Sequence, residues 1–173
     1  MSDAAPQSVP SKPGTPEPGT PEPGTPEPGQ RPGMDYSLLN ESHIAAYRET
    51  NGEKGYLWNG ATTLLMTSTG RKSGEKRTIA IIYCQVGDNF VIIASKGGSP
   101  VHPLWYLNVL EHPNVEVQVK ADKWEAVTRV AQSPEREILW AEACRQWPAF
   151  NDYQARTERR IPVVVIEPKR KLT

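Results

Sequence analysis

The sequence predicts a mainly β protein, a compact antiparallel barrel with short helices packed outside it. Apolar and β-branched runs recur at residues 62–69, 78–86 and 90–95, separated by glycine-rich turns, which is the pattern of antiparallel hairpins. Helical patterns appear only as short interruptions among six such strands, without the regular strand-helix alternation of a parallel sheet. A Rossmann fold is therefore disfavoured.

The elements follow in order. Residues 40–50 read as a short helix, with Ile44 and Tyr47 on one face and Gly52 as its stop. After the three strands already named, Pro103 opens a second helix that runs through Glu111. Val115, Val117 and Val119 alternate with Glu116, Gln118 and Lys120, giving a strand with one wet face. Residues 124–131 pair with it through a turn at 121–123. Ser133 and Pro134 start a third helix, whose Trp140, Cys144 and Trp147 form one stripe and which Pro148 ends. Residues 161–166 are a final buried strand.

Residues 1–33 stand apart. They hold 10 of the 17 prolines and repeat Gly-Thr-Pro-Glu-Pro three times, from Gly14, Gly19 and Gly24. Such a stretch has almost nothing to bury and favours extended polyproline II, so it is expected to be a disordered tail. A docking arm for a proline-recognising groove is the less favoured reading, because no aromatic or basic residue accompanies the repeat. Residues 34–173 are expected to form one domain, since 173 residues leave little room for two.

Composition narrows the chemistry. With 20 basic and 20 acidic side chains, nothing suggests wrapping nucleic acid, although residues 34–173 alone are slightly basic. Cys84 and Cys144 are far apart in sequence and form no metal or redox pair. His43, His102 and His112 lack zinc-site spacing, so no metal is expected. There is no Gly-x-Ser-x-Gly elbow, and Gly70-Arg71-Lys72-Ser73 lacks the order of a P-loop. No secretory leader or membrane-length apolar run is seen, which leads to an expectation of a soluble, cytoplasmic protein. Any chemistry then falls to a bound organic cofactor.

Two basic, glycine-hinged turns are left. Residues 69–77 carry Arg71, Lys72, Lys76 and Arg77 against Glu75 alone, and residues 94–98 supply Ser95, Lys96, Gly97 and Gly98. Backbone amides at glycines with converging cations make a cradle for phosphate or carboxylate groups, although hairpin tips are also charged simply to stay solvated.

The motifs TGRKSG at 69–74, ASKGG at 94–98, HPLWYLN at 102–108 and DYQxRTxRRIPVV at 152–164 resemble the deazaflavin (F420)-dependent nitroreductase and quinone reductase family, in order and spacing. The resemblance implies a split β-barrel of the FMN-binding, pyridoxamine-oxidase-like kind that binds coenzyme F420, a deazaflavin with a phosphate and a polyglutamate tail. It makes Arg71, Lys72, Arg77 and Lys96 ligands of the phosphate and tail, with Gly97 allowing close approach. It also places Trp105 and Asn108 along the cofactor groove, although Trp105 equally suits core packing. Hydride transfer to a planar, electron-poor acceptor such as a quinone or nitroaromatic is implied, with Tyr83, Ser95 and Tyr153 placed to supply a proton or hydrogen bond.

Departures from the family pattern concern the acceptor side. Trp147-Pro148-Ala149-Phe150 stands where nitroimidazole-activating members carry tyrosines, and Trp147 and Phe150 are expected to give an apolar pocket suited to a greasy quinone. Trp147 fits core packing as well. FMN on the same barrel, and a non-catalytic carrier of deazaflavin or an apolar ligand, are the alternative readings. A homodimer is open, because related barrels pair through their sheets, as is peripheral membrane association through a lipophilic quinone.

Overall fold

Alternation with a period of two puts every second side chain of a strand on one face, and here that face closes on itself. The computed structural model describes residues 40–173. The Pro-rich segment 1–33 and the boundary at residue 34 lie outside the described residues. The elements are helix α1 (Glu41–Glu49), strands β1 (Leu57–Trp58), β2 (Ala61–Thr69), β3 (Lys76–Val86) and β4 (Asn89–Ile93), helix α2 (Leu104–Glu111), strands β5 (Asn114–Val119) and β6 (Asp122–Val130), helices α3 (Glu135–Gln146) and α4 (Ala149–Ala155), and strand β7 (Val163–Leu172).

All pairings are antiparallel, in the order β1-β2-β3-β4-β7-β6-β5, and β5 pairs back onto β2. Leu65 of β2 lies opposite Ala80 on one side and Gln118 on the other, so the six long strands form a closed barrel. Leu64, Met66, Tyr83, Phe90, Ile92, Val117, Val164 and Ile166 fill its interior.

The outer face is covered in two places. Tyr47 of α1 packs on Leu65 and Ala80. Helices α3 and α4 lay Leu139, Ala143, Trp147, Phe150 and Tyr153 over Cys84, Val91, Ile93, Val163 and Val165. The exposed sheet around β5 and β6 keeps its charged outer residues, Glu116, Lys123, Glu125 and Arg129, in water.

The predicted elements are present, with four differences. The β5–β6 turn is the two residues between Val119 and Asp122, with Lys120 at φ 53°, tighter and earlier than residues 121–123. The buried line of α3 runs through Leu139 and Ala143, while Trp140 and Cys144 are only half-buried. Pro148 ends α3 and also caps the start of α4, because proline's fixed φ suits a first turn as well as a stop. The last strand continues through Leu172, pairing with β6 past the apolar stretch.

Tyr47 ties these parts together. Fully buried, its hydroxyl donates to the Thr63 carbonyl at 3.0 Å and accepts from the Lys120 amide at 2.9 Å. Gly52 permits this close approach, since a Cβ there would lie 2.7 Å from the Lys120 Cα. Tyr47→Phe leaves a buried carbonyl and amide unpaired, so urea unfolding is expected to show a loss of about 1–3 kcal/mol. An unchanged midpoint would mean that the contact carries nothing.

Candidate active site

The turn between β2 and β3 is closed by backbone bonds between Gly70 and Glu75, at 2.7 Å, and between Gly74 and Gly70, at 2.8 Å. Gly74 takes φ 73°, which glycine adopts freely. Lys72 and Arg77 are exposed here, and Arg77 pairs with Glu75 at 3.0 Å. Arg71 is held differently. Its amide donates to Asn108 Oδ1 at 3.1 Å, and its guanidinium reaches the same oxygen at 3.5 Å. Asn108 is buried on α2, so its side chain is committed to fixing the basic turn against that helix.

The second turn follows β4. Ser95 has right-handed helical angles (φ −77°, ψ −40°), and Lys96, Gly97 and Gly98 then take positive φ of 44°, 64° and 85°. A right-handed residue followed by a left-handed one converges successive N–H groups into an anion-binding concavity. Lys96 is exposed and Ser95 half-buried. Gly98 is buried against α4, where a Cβ would stand 2.6 Å from the Tyr153 carbonyl oxygen. Tyr153 is itself buried, with Phe150 edge-on at 6.1 Å and the Arg156 guanidinium 5.7 Å over its ring.

Sequence reasoning missed the residue that organises this turn. Arg159, from the RTxRR stretch, donates from Nε to the Ser99 carbonyl at 2.7 Å and from Nη2 to Ser95 O at 2.7 Å. Its Nη1 reaches Ala94 O at 3.2 Å and His102 Nδ1 at 3.1 Å. His102 in turn packs on Tyr106 of α2, with ring centroids 4.8 Å apart. Gln154 closes the same region, donating to Arg159 O at 2.8 Å and accepting from the Ile161 amide at 2.9 Å. The segment His102–Asn108 thus links the two basic turns, touching one through Arg159 and the other through Arg71.

The remaining residues singled out from sequence lie elsewhere. Tyr83 is buried in the barrel interior, with its hydroxyl 3.3 Å from that of Tyr56. It stands seven residues along β3 from Lys76, roughly 23 Å from the cationic turn. Burial, and then the bond to Tyr56, push its phenol well above the usual range, so it holds its proton at neutral pH. Trp105 is half-buried and packs on the inner core, edge-on to Tyr106 at 6.2 Å. Trp147 and Phe150 are 4% and 6% exposed within the outer core, Trp147 against Trp58 at 5.6 Å. The gap between Phe150, Ile82 and Cys84 does not admit a water. Any acceptor contact by these two rings therefore needs α3 or α4 to move. Cys84 is likewise inert, since burial raises its thiol to about 11.

The comparisons with known proteins agree on one family. The model of the F420H(2)-dependent quinone reductase family matches residues 39–168. The chain belongs to this family. It is 39% identical over 129 residues to an F420H(2)-dependent quinone reductase of Mycobacterium tuberculosis strain H37Rv, covering 72% of this chain and 86% of that one. Among solved structures, an F420-H2 dependent reductase is 38% identical with a TM-score of 0.58, over 61% of this chain and 93% of its own. A domain-swapped dimer is 33% identical with a TM-score of 0.61, over 73% and 95%. HutZ, the heme storage protein of Vibrio cholerae, is 11% identical with a TM-score of 0.51, a likeness of fold alone.

Membership in the F420H2-dependent quinone reductase family makes the protein an F420H2-dependent oxidoreductase whose cofactor is coenzyme F420. Neither the FMN alternative nor the carrier reading finds support. The residues present fit a polyanionic cofactor: Arg71, Lys72, Arg77 and Lys96 lie on two glycine-hinged turns, the second of which has the alternating backbone of an anion-binding concavity. Among the described residues no cluster able to hold a metal ion occurs, and no helix is long and apolar enough to cross a membrane.

His102 gives this region a pH dependence. Burial, and then the Arg159 guanidinium, hold its imidazole below the ordinary 6.5, so the folded protein favours the neutral ring that accepts from Arg159. Arg159 and Tyr106 are the titratable groups in contact with the ring. The folded state binds this proton less readily than the unfolded chain, so the stability is complete above pH 6.5 and is lost as pH falls below it. Thermal melts from pH 7.5 down to about 5.5 should show the wild type losing more stability than His102→Asn, which keeps an acceptor without titrating. Parallel losses would remove His102 from the account.

Proposed function

We propose that this protein transfers a hydride from reduced F420 to a quinone, holding the cofactor's anionic groups between its two basic turns. The observation that carries this reading is the bridge His102–Asn108, which meets the first turn through Asn108 on α2 and the second through His102, just before that helix, by way of Arg159. Two isolated charged tips would need only solvent, whereas two turns anchored by partly buried polar contacts to a common segment form a preorganised site.

When bound, reduced F420 supplies a hydride from its deazaflavin ring. Arg71, Lys72, Arg77 and Lys96 neutralise phosphate and carboxylate groups through charge-assisted hydrogen bonds, and Gly97 lets a ligand approach the backbone. Glu75 competes for Arg77, which limits that cation's share. Ser95 and Tyr153 flank the second turn, and Ser95, half-buried where Tyr153 is buried, has the more accessible side chain for an acceptor oxygen on which negative charge develops. The Tyr56–Tyr83 pair, with Tyr83 held protonated, is a hydrogen-bond donor and not a base.

The family description favours quinone over nitroaromatic acceptors. Residues 34–173 are proposed to be the reductase domain, with 1–33 a separate tail. The domain-swapped dimer among related structures supports a homodimer, and a lipophilic quinone would bring the protein to a membrane surface.

Mixing the protein with reduced F420 and a menaquinone analogue should restore the absorbance of oxidised F420. Consumption with a nitroaromatic but not with the quinone would overturn the acceptor assignment. In fluorescence titrations, Lys72→Ala and Arg77→Ala should each weaken F420 binding, by roughly tenfold for Lys72 and less for Arg77. Wild-type affinity in both variants would take the first turn out of the site.

A further inference from the structure

Arg159 satisfies more of the Ala94–Ser99 segment than any group within that segment. Three of its donors take the carbonyls of Ala94, Ser95 and Ser99, and Nη1 also reaches the His102 ring. Of its other bonds, Ala94 N donates to Pro162 O at 3.0 Å, and the rest are local, among them Gly98 N to Ser95 O at 2.9 Å and Ser99 N to Lys96 O at 3.1 Å. Without the guanidinium, the Ala94 and Ser99 carbonyls would need water or would turn, Ser95 O would keep only the Gly98 amide, and Lys96 has an unfavourable left-handed conformation to escape from.

We propose that Arg159 is the positioning residue of the cofactor turn. By gathering the carbonyls on one side, it leaves the amides of Ser95, Lys96 and Gly97 and the Lys96 ammonium directed at the anionic part of the ligand. This deepens the F420 reading and rests on it. The guanidinium acts in two ways: its planar fork spans acceptors that a lysine ammonium could not reach together, and it puts a positive charge against the carbonyl side of the turn. Burial works against that charge and lowers the Arg159 pKa, so the charge is retained at a cost, as expected where the group serves a ligand as well as the fold. Arg156 and Arg160 do not share the task. Arg156 lies over the Tyr153 ring, and Arg160 pairs with Glu137 at 2.6 Å on the surface.

The test compares F420 with its phosphate-free deazaflavin chromophore, by fluorescence titration, in wild type, Arg159→Lys and Arg159→Ala. Arg159→Ala should weaken F420 by about tenfold or more while changing chromophore affinity by less than about threefold. Arg159→Lys should fall between, because it keeps the charge and loses the fork. Hydrogen exchange in the ligand-free protein should quicken at residues 95–99 in both variants, ahead of the barrel strands. Should Arg159→Ala fail to fold, Arg159→Lys carries the same comparison. Wild-type F420 affinity in the variants, or equal losses for F420 and chromophore, would overturn the positioning role. Failure of the wild type itself to bind F420 would be seen before any substitution and would overturn the cofactor reading together with this one.

Discussion

The structure depends on β2 pairing on both of its edges. Hydrogen bonds to β3 on one side and β5 on the other close the barrel, so none of its six long strands presents a full open edge. Closure commits alternate residues of β2 to an interior of Leu64 and Met66, and leaves Leu65 outside, to be covered by α1. A slip of one residue would exchange those faces, so the register of the whole barrel is fixed by where its apolar side chains can go. With the strands committed in this way, chemistry is left to the turns and short helices at their ends.

Those turns are held by polar side chains that are buried or half-buried. Asn108 takes the Arg71 amide, and Arg159 takes three carbonyls of the second turn. Both anchors meet on residues 102–108, which tie the turn between β2 and β3 to the one that follows β4. Lys72, Arg77 and Lys96 are exposed, whereas Asn108, which holds the first turn, is buried and Arg159, which holds the second, is half-buried.

The barrel was legible because its signals are local: alternation in β5, glycines at the hairpin turns, β-branched runs in β3 and β4. The basic turns were legible for the same reason. What escaped depends on long-range packing. Pro148 reads as a stop, and nothing local says that a new helix begins on it and carries Tyr153 to the back of Gly98. Arg156, Arg159 and Arg160 are equivalent as a charge run, and only the fold decides that Arg159 turns inward. Tyr56 belongs to no motif and meets Tyr83 across 27 positions of sequence. Trp147 and Phe150 were legible as apolar, but their burial in the outer core follows from how α3 and α4 pack, which no local signal gives.

The measurement that bears most directly on this account is the crystal structure of the protein with F420. The account predicts the phosphate and glutamate groups between residues 70–77 and 95–98, with the Arg159 contacts to Ala94, Ser95 and Ser99 intact. F420 bound elsewhere, on the open face of β5 and β6 or with Arg159 itself swung onto the phosphate, would contradict it.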